Sequence, residues 1–171
     1  MHKDADELPV VSKLKLKWEG VFNVSELYNK MKSWMDYEGY GDERKSFKEE
    51  RYVERVKPGG KQIEIIWKGE KNVSDYFSHV IQISFRILGL NTIEIQQDGK
   101  KRKMHKGEIS LEFSASLIKN RSGKWPKDSL MKKIYEKFII KQRTEEYTIE
   151  IYNKIYGFHN AVKDYLHLSE F

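Results

Sequence analysis

Between Lys13 and Glu19 the chain alternates without a break. Leu14, Leu16 and Trp18 fall on one side and Lys13, Lys15, Lys17 and Glu19 on the other, the two-residue period of a half-buried strand. At Asn23 the period changes: Val24, Leu27, Tyr28, Met31, Trp34 and Met35 recur at three and four residues. That spacing predicts an amphipathic helix capped by Asn23, with Glu26 three positions on, and stopped in the Gly39-Tyr40-Gly41 cluster. A charged but β-compatible segment, 47–56, then meets Pro58-Gly59-Gly60. A return strand with Ile63, Ile65 and Trp67 on one face completes a first hairpin.

The longest alternating run follows, with Phe77, His79, Ile81, Ile83, Phe85 and Ile87 on one face. Leu90-Asn91 reads as a turn into a further strand, 92–97. Asp98-Gly99 is a hairpin signal whose loop the four basic residues after it would lengthen. Ile109, Leu111, Phe113, Ala115 and Leu117 mark a last strand. From Pro126 the period returns to 3.6, with Leu130, Ile134 and Phe138 on one stripe, Met131, Tyr135 and Ile139 beside it, and a second stretch from Tyr147 to Tyr165. This is one helix, or two broken near 142–145 with Thr144 as a new cap. The expected architecture is α+β: a curved antiparallel sheet of about six strands, a helix after the first strand, and a long C-terminal helix packed in the sheet's grip. Residues 1–12 read as a flexible lead-in and 13–171 as a single domain, with 144–171 a candidate helical extension.

Strand, helix, a run of antiparallel strands and a terminal helix is an order that resembles the helix-grip fold of START-like (polyketide cyclase-like) domains, over nearly the whole chain from Lys13. The resemblance implies a sheet wrapped around the terminal helix. In that superfamily an apolar cavity often lies between the two and binds lipids, sterols, polyketides or other hydrophobic ligands. Lining residues would come from Trp18, Trp67, His79, Phe85 and Phe113 on the sheet and from Ile134, Tyr135 and Phe138 on the helix. The same residues serve equally as plain core, because strand-period aromatics are ordinary packing. His79 is the one ionisable residue on its strand face, so it is either a satisfied core histidine or a ligand contact.

Composition narrows the chemistry. The chain has 171 residues and no cysteine, which removes disulfides, thiolate metal sites and a cysteine nucleophile. No His-Glu-x-x-His, Gly-x-Ser-x-Gly, phosphate loop or dinucleotide fingerprint occurs, so no catalytic residue, metal or cofactor is expected. The polar start and the lack of an apolar run of about 18 residues point to a cytoplasmic protein with no integral membrane segment.

The net charge of +6 is unevenly placed. Residues 99–143 hold fourteen Lys and Arg against four Asp and Glu, a net +10, while the segments before and after carry −1 and −3. Lys100, Lys101, Arg102, Lys103 and Lys106 follow the Asp-Gly turn. Arg121, Lys124 and Trp125 lie in the next loop, and helix lysines stand at 132, 133, 137 and 141. Such a block attracts RNA or another anionic surface, and Trp125 and Tyr135 are of the kind that stack on bases. Three readings follow: a START-like domain binding a hydrophobic or amphipathic small ligand; a basic RNA- or ribosome-associated protein using residues 100–143; and an assembly module docking through Tyr147, Tyr152, Tyr156, Phe158, Tyr165 and Phe171.

Overall fold

The computed structural model describes residues 2–44 and 46–168; Phe171 lies outside the described residues. Five strands form one antiparallel sheet: β1 (Asp6–Phe22), β2 (Phe47–Lys57), β3 (Gly60–Asn72), β4 (Phe77–Gln97) and β5 (Lys100–Lys119). Their order across the sheet is β1-β5-β4-β3-β2. Helix α1 (Val24–Tyr37) carries the chain from the β1 edge to the β2 edge. A short helix α2 (Leu130–Ile134) widens into a π-helical turn (Tyr135–Ile139) and leads to α3 (Lys141–Leu168).

The strand count is five rather than about six because Leu90-Asn91 is not a turn. The pairing of β4 with β5 is interrupted between Leu88 and Asn91 and then resumes to the Asp98-Gly99 hairpin. Gly89 absorbs the extra residue at φ +60, a left-handed conformation that glycine enters at little cost. The hairpin turn itself is as expected: Asp98 and Gly99 both have positive φ, 53 and 74, as a tight two-residue turn between twisted strands requires. Lys100–Lys103 are therefore strand residues and not part of a lengthened loop. At the other end of the chain, β1 starts at Asp6, paired with Lys119, so residues 6–12 of the expected flexible lead-in are strand.

Helix α1 begins as its cap predicts, with the Asn23 side chain accepting the Glu26 N–H at 3.1 Å. It buries Leu27, Met31 and Met35 against the sheet. The chain after it comes so close to β3 that a Cβ on Gly69 would stand 2.7 Å from the Tyr40 carbonyl oxygen. The C-terminal break falls at Ile140 rather than at 142–145. The Thr144 hydroxyl donates to the Ile140 carbonyl within α3 instead of capping a new helix.

Ile151, Ile155, Phe158, Val162 and Leu166 of α3 join the inner face of the sheet in one cluster with Trp67, Ile83, Phe85 and Phe113. Trp67, Ile83, Phe113 and Ile155 are 0% exposed and Phe158 1%, so a water-sized sphere does not reach them. A second, smaller cluster of Tyr76, Phe77, Leu117 and Ile140 sits under the loop and π-helical turn, with Trp125, Tyr135 and Tyr147 against it.

Candidate functional site

The residues expected to line a cavity separate into three groups. Trp67, Phe85 and Phe113 are filled core. His79 is fully buried and satisfied on both nitrogens: Nδ1 lies 3.2 Å from the Tyr40 hydroxyl and Nε2 2.9 Å from the Tyr147 carbonyl. The carbonyl can only accept, so Nε2 carries the proton and Nδ1 accepts from Tyr40. Burial holds the imidazole below its ordinary pKa, and hence neutral, although Glu150 pulls the other way. Trp18 is half-buried on the edge strand, edge-on to the His167 ring at 5.1 Å. Its indole N–H is buried without a partner among the described residues, as is that of Trp125.

Ile134, Tyr135 and Phe138 do not enter the grip at all. Tyr135 packs on Tyr76 beneath the loop, while Ile134 and Phe138 are 42% and 72% exposed. Apart from Tyr135, the side of the segment turned to the protein is its polar one. Lys132, 2% exposed, forms an ion pair with Asp6, and Glu136 accepts from the Tyr76 hydroxyl at 2.7 Å and from Lys119 at 3.0 Å. An apolar groove does open between α1 and α3, lined by Leu27, Met31, Trp34, Phe158, Val162 and Tyr165. Its volume of about 230 Å³ falls short of the range from ~300 Å³ upward that small-molecule sites occupy.

The basic residues behave differently from their grouping in the sequence. Strand β5 runs from Lys100 to Lys119, about 60 Å at ~3.3 Å per residue, so the two halves of the block lie at opposite ends of the sheet. At the far end Arg121 serves as a clip, its Nε donating to the Ser74 carbonyl at 2.6 Å. Lys124 lies over the Trp125 ring, 5.9 Å from its centre, and Asn120 ties the Trp125 backbone to Asp4. These contacts bind the loop to the protein and leave only Lys124 of the three side chains exposed.

At the near end the β4–β5 ribbon outruns its neighbours. β3 pairs with β4 as far as Leu90, and β1 pairs with β5 as far as His105. The last five residue pairs, Ile93 with Met104 through Gln97 with Lys100, have no third strand beside them and project about 16 Å at ~3.3 Å per pair. Lys101 and Lys103 lie on one face of this arm and Arg102 and Lys100 on the other, as the register dictates. All four are exposed, as is Lys106 at the base, and none of the five forms an ion pair with a described residue. Ile93, Ile95 and Met104 share a face and stiffen the arm.

Below the arm's base lies an open cleft of about 460 Å³, lined by Val24, Ser25, Tyr52, Val56, Lys61 and His105 among others. His105 Nδ1 accepts the Val24 N–H of α1 at 3.4 Å, so the ring anchors the arm's root to the start of that helix. Burial, reinforced by Lys61, holds this histidine below its ordinary pKa and therefore in the neutral form that can accept. No family model matches the chain, and no curated protein or solved structure matches it either. Among the described residues no three His, Asp or Glu side chains are placed to hold a metal ion, and no helix is long and apolar enough to cross a membrane.

Residue patterning reached the basic arm by composition but not its shape. The signal that was available is the strict alternation of Ile93, Ile95 and Glu94, Gln96 running straight into the Asp-Gly turn, which favours strand up to the turn rather than a loop.

Proposed function

We propose that this chain is a nucleic-acid-binding protein, RNA- or ribosome-associated, in which a helix-grip domain with a filled core is the scaffold for a basic β-ribbon arm. One observation carries the reading: four exposed cations, Lys100 to Lys103, stand on both faces of a ribbon with no strand beside it, and although Glu94 lies across from Lys103 none of the four forms an ion pair among the described residues. A groove of a nucleic-acid duplex is a trough between two rails of phosphate; a two-stranded ribbon enters the major groove of DNA, and on RNA, whose major groove is too narrow for it, the arm's cations meet the phosphate rails. Charge on both faces suits that trough, whereas a surface-lying strand needs it on one. Lys106 extends the positive surface from the arm onto the body, while Lys61 in the cleft is paired with Glu54 at 2.6 Å. The contacts are to the phosphate backbone and carry no sequence information.

The reading rests on the arm rather than on the grip, where Trp67, Ile83 and Phe113 of the sheet and Ile155 of α3 are 0% exposed and leave no water-sized space against them. Binding of the full chain to structured RNA and to duplex DNA, measured against salt, tests it. With four cations on phosphates, log K falls against log salt with a slope of about −3 to −4. Replacing Lys100, Lys101, Arg102 and Lys103 by glutamine removes most of that slope and leaves the melting temperature unchanged. Lys124→Gln, at the opposite end, changes neither. Absence of binding at low salt, or affinity untouched by the arm substitutions, overturns the proposal.

A further inference from the structure

Residues 130–139 are an amphipathic helical segment mounted inside out. Leu130 (72% exposed), Met131, Ile134, Phe138 (72%) and Ile139 all face solvent, while the segment's contacts with the body run through Tyr135 on Tyr76, through Lys132 to Asp6 and through Glu136 to Tyr76 and Lys119. Isolated apolar side chains on a surface mean little, but five large ones on ten consecutive residues form a continuous ridge of the kind that marks an interaction surface. Charge identifies what covers it. Between residues 124 and 143 there are seven Lys and Arg against two Asp and Glu, and one of those acids, Glu136, is turned inward and neutralised. Lys127, Lys133, Lys137 and Lys141 are exposed around the ridge, and Lys137 lies 5.4 Å from the centre of the Phe138 ring.

A second copy of this surface is a poor occupant, because a two-fold contact would bring the same lysine fringes together. A convex apolar ridge edged with lysines is what an anionic bilayer surface accepts. The side chains sink to the headgroup boundary, and the lysine stems extend so that their ammonium groups stay among the phosphates. We propose that residues 127–141 dock this protein on anionic lipid membranes, with Leu130, Ile134 and Phe138 inserted and the surrounding lysines on the headgroups. The arm of Lys100–Lys103, at the other end of β5, takes no part.

Flotation of the full chain with phosphatidylcholine vesicles, with and without about one-third phosphatidylglycerol, tests this. The chain rises with the anionic vesicles and not with the neutral ones. The double variant Leu130→Ser, Phe138→Ser stays behind, although its exposed positions leave the melting temperature unaltered. Lys133→Gln with Lys137→Gln weakens vesicle binding about tenfold or more, given the contribution of each lysine near an anionic surface, and the four-residue glutamine variant of the arm floats like the parent chain. The proposal is overturned if anionic vesicles are ignored at low salt, if neutral vesicles bind equally, if the serine variant still floats, if the arm variant is the one that fails, or if Phe138→Ser breaks a dimer of the chain while vesicles go unbound.

Discussion

Phe138 and Phe158 lie on either side of the break at Ile140 in the C-terminal helical region, each on an apolar stripe of helical spacing, yet one is 72% exposed and the other 1%. Phe158 stacks on Trp34 at 4.0 Å and meets Phe113 edge-on at 5.4 Å, closing the space between α1, α3 and the sheet. Among the described residues the one ring contact of Phe138 is with the Lys137 ammonium nitrogen, 5.4 Å from the ring centre. Helical period therefore says that a stripe exists, and the partners of the polar residues between its members decide which way it faces. Truncation at the two sites separates them most strongly. Phe158→Ala costs about 3–5 kcal/mol of unfolding free energy through lost burial and the cavity left behind, whereas Phe138→Ala stays within about 0.5 kcal/mol. Denaturant melts of both variants check this, and comparable losses would break the contrast.

The next largest effect tests what turns the segment over. Lys132 is the buried cation that points inward, and its ammonium group is paired with Asp6 at the start of β1. Lys133, one residue on, is exposed and unpaired among the described residues. Removing one partner of a buried pair leaves the other uncompensated, so Lys132→Ala is expected to cost about 2–3 kcal/mol and Lys133→Ala almost nothing. If Lys132→Ala is as mild as Lys133→Ala, the inward polar face is incidental and packing of Tyr135 and Ile140 alone orients the segment.

How much of this was legible follows from where each signal lives. Two-residue alternation marks parts of β1, β3, β4 and β5 because each has one face on the core, whereas β2, exposed along nearly its whole length, shows only as a charged, β-compatible run before Pro58-Gly59-Gly60; Asn23 and Asp98-Gly99 mark a cap and a turn because their chemistry is local. The bulge at Gly89 is hidden in the sequence, since Leu90-Asn91 after a glycine has the composition of a turn; only the continued pairing of Asn91 with Lys106 shows otherwise. Trp67, Phe85 and Phe113 were placed on the correct face, but whether that face meets a cavity or Phe158 depends on a helix more than forty residues away. The stripe of Ile134 and Phe138 reads as inward because nothing local reveals that Asp6 and Lys119 stand ready for Lys132 and Glu136. The block of fourteen cations was legible as composition and illegible as two sites, because a strand of twenty residues separates its ends.

The smallest effect belongs to the packed side of the comparison. His79 joins β4 to the chain after α1 through the Tyr40 hydroxyl and to α3 through the Tyr147 carbonyl, with Glu150 and Lys154 of α3 and Lys71 of β3 the charged groups that act on it. Its folded pKa is depressed below the ordinary value near 6.5, chiefly by burial. For a base the sign is fixed: the unfolded chain takes up a proton first, so stability is fully present above the unfolded value and declines as pH falls through it toward the folded one. One such proton gives a slope of at most about 1.4 kcal/mol per pH unit. His105 adds a weaker slope of the same sign, being half-buried and shifted the same way. Unfolding free energies measured between pH 7.5 and 5.5, a window set by that unfolded value of ~6.5, should fall with acid in the parent chain. In His79→Gln they should fall less steeply, whatever that substitution does to the level at neutral pH. An unchanged slope in His79→Gln would mean that the imidazole takes up its proton as readily in the folded chain as in the unfolded one, and that the Tyr40–His79–Tyr147 link does not hold it neutral.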